Sequence, residues 1–329
     1  MPDFFDPSVR PLPPGISPDH PVLAFVAGVI DIFMNAEASG AAADPGQLKA
    51  QVDRLLASHP APPRVLGVPV ERQAQELVDR AWDSDEGDVL ALDALRLWPN
   101  CCEAYLLLAL ETGEEVELTV ILYTLAAMAG ADAIGSEKMD EYAGSFSEHE
   151  DALPFLQALA GLARAHMAAG EPETAMLHLG EVLRLDSADA LGARYELLTL
   201  LIASGDLANA QVLIDAYEEP SVPMLYGSAL IAFRESGDGP AATSRLQMAK
   251  TVNPHIIPYL TGEKPIPGPG PLDFELGTED EALAFAPLVL TTWKVTPGAI
   301  EWLQKEVGYV SGVRAKPPEK PKRSGPREI

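Results

Sequence analysis

The sequence predicts an all-α protein in which helix hairpins stack side by side as a solenoid. Three observations carry this expectation. Apolar residues in the middle of the chain recur at three- and four-residue spacing, as in Leu90, Leu92, Ala94, Leu95 and Leu97, or Leu156, Leu159, Leu162, Ala163 and Met167. That is the period of one helix face. Short breaks at Gly170-Glu-Pro, Gly205-Asp-Leu and Gly237-Asp-Gly-Pro put glycine where a helix ends and a polar residue or proline where the next begins. Residues 159–186 also align without a gap on residues 226–253, and internal repetition of this kind marks stacked architectures.

Taken in order, residues 1–69 carry 12 of the 30 prolines and read as a Pro-rich segment holding one or two helices. The run from Pro21 to Ala36 is apolar, but it is short for a bilayer and carries Asp31, so a buried helix is expected. The opening Met1-Pro2-Asp3-Phe4-Phe5-Asp6 has no basic region, which argues against a secretory signal. No other stretch reads as a membrane span. Residues 70–254 form the repeat array, with an early unit at Ala94, Pro99, Ala104, Tyr105 and Leu108. The spacing from Pro99 to Ser187 exceeds two repeat units. The excess is assigned to residues 131–151, as a lengthened helix pair or an ordered insertion. Residues 255–310 read as a Pro-rich linker and a pair of capping helices. Glu279-Asp280-Glu281 opens the first of these, where acidic side chains suit a helix N-terminus. Trp293 and Trp302 supply large apolar area to cover the last hairpin. The stretch 311–329 is basic and Pro-rich and is expected to be disordered. It is read as a solubilising tail, or as one making a weak contact with the acidic body or a partner.

Lys and Arg number 23 against 49 Asp and Glu, a net charge of −26. Nucleic acid and anionic membrane surfaces are disfavoured as partners, since both attract cations. The only cysteines, Cys101 and Cys102, are adjacent. A vicinal pair closes a disulfide only with strain, and the expected compartment is a reducing cytoplasm. No phosphate-binding glycine loop, nucleophile elbow or zincin motif occurs, so no catalytic residues, metal or cofactor are assigned. His149 lies in an acidic loop, while His166 and His178 are placed to face one another across a hairpin. Together they are the basis of an alternative reading as a metal-dependent hydrolase.

Between the two aligned segments lies a third unit, residues 194–217. Its Gly205, Ala210 and Ile214 fill the slots of Gly170, Ala175 and Leu179, and of Gly237, Ala242 and Leu246. The pattern resembles the tetratricopeptide repeat superfamily, most clearly at Tyr226, Ala229, Leu230, Phe233, Gly237, Ala242, Leu246, Ala249 and Pro254. The alanines let two helices approach closely where they cross. The C-terminal block resembles the suppressor of tumorigenicity 7 family and related uncharacterised bacterial repeat proteins. The matching positions are Asn253, Pro254, His255, Pro258, Tyr259, Leu260, Gly277, Glu281, Ala282, Trp293, Gly298, Ala299 and Leu303. That resemblance implies architecture and carries no catalytic residues.

The tetratricopeptide resemblance implies a concave face lined by the first helix of each hairpin. In register, the lining residues are Gln157, Arg164 and Met167, then Tyr195 and Thr199, then Met224, Ile231 and Arg234. Two arginines on one inner face of an acidic protein suit a partner's carboxylate. The expected function is a non-enzymatic scaffold or adaptor that holds a partner peptide or helix in the groove. An obligate subunit of a larger assembly is the other non-enzymatic alternative. The oligomeric state is not readable from the sequence.

Overall fold

A computed structural model describes residues 20–39, 45–112, 115–268, 270–310 and 313–314. Most of the expected tail, and residues 1–19 of the Pro-rich N-terminal segment, lie outside this range. The described residues hold fifteen α-helices, one 3-10 turn and one two-residue antiparallel ladder, Tyr309–Val310 with Val313–Arg314. The protein is all-α. It divides into two units, one through Ala193 and one from Arg194, and the division falls inside the stretch covered by the repeat alignment.

The first unit contains α1 (Pro21–Ser39), α2 (Pro45–Ala57), α3 (Val70–Ala81), α4 (Gly87–Leu97), α5 (Cys102–Leu110) and α6 (Val116–Tyr142). The 3-10 turn Phe146–Glu148, α7 (Leu153–Ala168) and α8 (Pro172–Leu185) complete it. Its core gathers Val29, Val52, Val78, Leu92, Leu95, Tyr105, Leu122 and Leu125. The apolar run at Pro21–Ala36 is a helix, with Val22, Phe25, Val26, Val29 and Ala36 buried. Both cysteines are buried free thiols. Burial pushes Cys101 up to about 12 and Cys102 well above its usual range.

The length and apolar character of α6 exceed what the sequence predicts. Its 27 residues are long and apolar enough to cross a membrane by length and composition, with a mean hydropathy of 1.6 over its most apolar stretch. Leu118, Leu122, Leu125, Ala126, Ala129, Gly130 and Ile134 are buried, and α6 packs against α5 and α7. Gly135, at φ 76° and ψ 160°, breaks the helix before its polar last turns. The bent pair Glu279–Val295 and Ala299–Glu306 reaches that length and apolar character only if taken together, across an angle of 112°.

The excess residues 131–151 are an extension of α6 followed by a strap tied to the end of α8. The Gly144 amide donates to the Leu185 carbonyl at 2.7 Å, and the Ser187 amide to the Gly144 carbonyl at 3.0 Å. Buried Asp186 accepts from the Ser147 hydroxyl at 2.6 Å and from the Ala190 amide at 2.8 Å. Phe146 is fully buried beside Phe155.

The second unit runs from α9 (Ala193–Ser204) through α10 (Leu207–Tyr217), α11 (Val222–Ser236), α12 (Pro240–Val252) and the short α13 (Ile257–Leu260) to α14 (Glu279–Val295) and α15 (Ala299–Glu306). The hairpin glycines behave as their positions predict: Gly170, Gly205 and Gly237 adopt φ of 79°, 91° and 70°, a region that costs glycine little. Ala175, Ala210 and Ala242 are each fully buried.

A buried polar network pins the C-terminal helices to the last hairpin. The Glu281 carboxylate accepts from the Val222 amide at 2.7 Å, the Gly277 amide at 2.6 Å and Asn253 Nδ2 at 2.9 Å. Tyr226 donates its hydroxyl to the Asn253 carbonyl at 2.7 Å. Glu281 and Asn253 are both fully buried. Three donors on one buried carboxylate satisfy the rule that a buried charge must be hydrogen-bonded. Beyond this network, α14 packs along α11. The indoles of Trp293 and Trp302 stack at 5.8 Å, with Phe233 on Trp302 at 4.6 Å. Both tryptophans are packing residues.

Candidate functional site

Helix α7 buries Phe155, Leu156, Ala158, Leu159, Leu162, Ala163 and Ala165 and leaves Gln157, Arg164 and Met167 exposed. Spacings of seven and three place these three on one side of the helix. Gly161 lies on the same side. A Cβ there would stand 2.2 Å from the Tyr123 ring of α6, so only glycine lets that ring lie against α7. Beside the contact is a cleft of about 220 Å³, lined by Val116, Thr119, Tyr123, Gly161, Arg164, Ala165 and Ala168. The Thr119 hydroxyl ties the start of α6 to the turn before it, with the Glu115 carbonyl at 2.9 Å and the Thr112 hydroxyl at 2.6 Å. Burial raises the pKa of Tyr123 and the positive charge of Arg164 opposes the rise, so its phenol stays protonated near neutral pH. The cleft therefore offers an apolar wall, one neutral phenol and one guanidinium.

The second group of expected groove residues lies in the other unit and meets a different fate. Met224 and Ile231 are 1% exposed. They share one core with Ala282, Ala286, Val289 and Trp293 of α14. This corrects the expectation of an open lining: α14 packs on the helix that was to carry it. Thr199 is buried and donates to the Tyr195 carbonyl at 3.0 Å. Arg234 donates to the Ile202 carbonyl, so it braces α9 against α11.

Tyr195 remains half-buried. The Arg194 guanidinium lies 4.3 Å from its ring centroid and 5.0 Å from that of Tyr217, and pairs with Glu219 at 2.9 Å. Burial and a hydrogen bond to Glu219 push the Tyr195 phenol up to about 12. Burial also opposes ionisation of Glu219, but bonds from Arg194, Tyr195 and Ser221 outweigh it and lower its pKa.

The three histidines of the hydrolase alternative form two separate ring stacks. His166 and His178 face one another as expected, with centroids 5.3 Å apart. His149 instead stacks on Tyr142 at 3.6 Å. Among the described residues, no three His, Cys, Asp or Glu side chains converge to hold a metal ion. Sequence reasoning missed Tyr123, because its contact with α7 joins distant parts of the chain. Its one signal was Gly161, a glycine inside an otherwise Ala- and Leu-rich helix. No protein-family model matches the chain, and no curated protein matches it.

Proposed function

We infer that the protein is a non-enzymatic interaction scaffold of tetratricopeptide-like helix hairpins, and that a partner peptide or helix contacts the open side of α7. The observation that carries this reading is the α6–α7 cleft with Arg164 at its edge and Gln157 and Met167 exposed along the same helix. The buried alanines at Ala175, Ala210 and Ala242 and the left-handed hairpin glycines support the repeat register. Within a chain of net charge −26, a guanidinium beside an apolar wall favours a partner segment that pairs a carboxylate with an apolar side chain.

The test starts from a partner recovered by affinity capture and mapped to a peptide. Arg164→Glu is expected to weaken that peptide by more than tenfold, about 1.4 kcal/mol or more. Arg164→Gln should fall between the two. Unchanged affinity in both variants would remove α7 as the contact face.

One observation favours the assembly-subunit reading as well. Leu177 on α8 and Val212 on α10 occupy the same slot, two residues after the buried alanine, and are 73% and 65% exposed. If these positions are covered by another subunit, the isolated protein should self-associate or precipitate as concentration rises. Light scattering across a dilution series distinguishes this from a free adaptor, which stays monomeric.

A further inference from the structure

One stretch of the second unit exposes large apolar side chains in close succession: Leu272 at 97%, Phe274 at 36% and Leu276 at 53%. Single exposed apolar residues are ordinary, but a contiguous group marks a binding surface. The stretch is held in place from below. A Cβ on Gly270 would lie 2.4 Å from Ala284 Cα, so the backbone here lies directly on α14. The Phe274 ring meets Phe285 at 5.2 Å, and Phe285 meets Tyr195 at 4.7 Å. The three rings form a row whose members are all partly open to solvent. Exposed Asp273 and Glu275 alternate with the apolar residues.

Such a patch suits a ligand that combines proline rings with positive charge. Proline-rich segments in extended form dock on aromatic surfaces at little ordering cost, while Lys and Arg answer the carboxylates. The chain supplies a segment of this chemistry. Residues 315–329, AKPPEKPKRSGPREI, hold four prolines and five basic residues against two acidic ones. This segment follows Arg314 directly in the sequence. At about 3.1 Å per residue, the ten residues after Arg314 span roughly 30 Å. That is close to the diameter of a domain of this size, whose radius of gyration is about 14 Å. Tethering places the segment at an effective concentration in the millimolar range. Pairing between two copies would instead bring together two chains that each carry −26. We propose that residues 315–329 dock in cis on the Phe274–Phe285–Tyr195 patch.

The experiment uses the full chain, a chain cut after Arg314, and the full chain carrying Leu272→Ser and Phe274→Ser, two exposed positions. Carbodiimide crosslinking with isotopically mixed chains is expected to join Lys316, Lys320 or Lys322 to Asp273 or Glu275 within one chain. These links should fall several-fold in the double variant and vanish in ~0.5 M salt, where the Debye length is only a few ångströms. Backbone amides of residues 270–277 should exchange several-fold faster in the cut chain. Equal exchange with and without the segment overturns the proposal. So do links that form only between chains, and links confined to other acidic segments.

Discussion

Tyr123 occupies the space that a side chain at position 161 would need, and this makes Gly161 a positioning residue for the α6–α7 cleft. Gly161→Ala drives a methyl group to 2.2 Å from the ring. The ring must swing out or the helices must part, an overpacking cost of ~1–3 kcal/mol. Tyr123→Ala removes the obstacle. Adding Gly161→Ala to Tyr123→Ala should then be nearly neutral, or slightly stabilising through helix propensity. Denaturant midpoints of the four proteins close this double-mutant cycle. Additive losses would mean that the ring does not constrain position 161. The same scale explains why Glu281 tolerates full burial: its three donors replace water. Position 281 stood out in the sequence as part of an acidic helix N-terminus and through a family resemblance, but no spacing rule announces a carboxylate that serves the start of one helix from inside another.

At the scale of elements, the α7–α8 hairpin carries a titratable pair. Burial lowers the pKa of His178 first, and the nearby His166 adds to the effect. His166 has Glu171 at 2.7 Å on Nδ1, while the neutral form of His178 is the one the fold favours. The unfolded chain then binds more protons than the folded one below the ordinary histidine range. The His178 contribution is complete above pH ~6.5 and is lost as pH falls through the lowered folded value. Thermal midpoints should therefore drop between pH 7.5 and 5.5, and His178→Gln should flatten part of that slope. A slope unchanged by His178→Gln would assign the acid sensitivity to other groups. The facing of these two histidines was legible because hairpin register fixes which residues meet across a turn. The burial of Met224 and Ile231 was not. Repeat register orients a helix toward its own hairpin partner, but it is silent on a later helix, here α14, that lies along its other side. The extent of α6 was missed for a related reason: its polar C-terminal turns and Gly135 interrupt the apolar period.

At the scale of the whole molecule, two buried clusters stand out among the described residues, one drawn from α1 to α7 and one from α9 to α15. Proteins open locally as well as globally, so local damage need not propagate through the chain. Trp293 tests how far it travels. It is fully buried, lies 6.2 Å from Tyr226 and stacks on Trp302. Trp293→Ala removes one of the largest buried side chains in the second unit, at a cost of ~3–5 kcal/mol. If the clusters open separately, amide exchange in α11 and α14 should accelerate by roughly a hundredfold or more, while exchange in α4, α5 and the first half of α6 keeps its wild-type rate. Equal acceleration of both sets would instead make the chain one cooperative body, and calorimetry would then give matching calorimetric and van't Hoff enthalpies. The sequence pattern alone leads toward the second outcome, because it runs one repeat register across the boundary at Ala193. The separate clusters lead toward the first, and exchange rates on either side of that boundary decide between them.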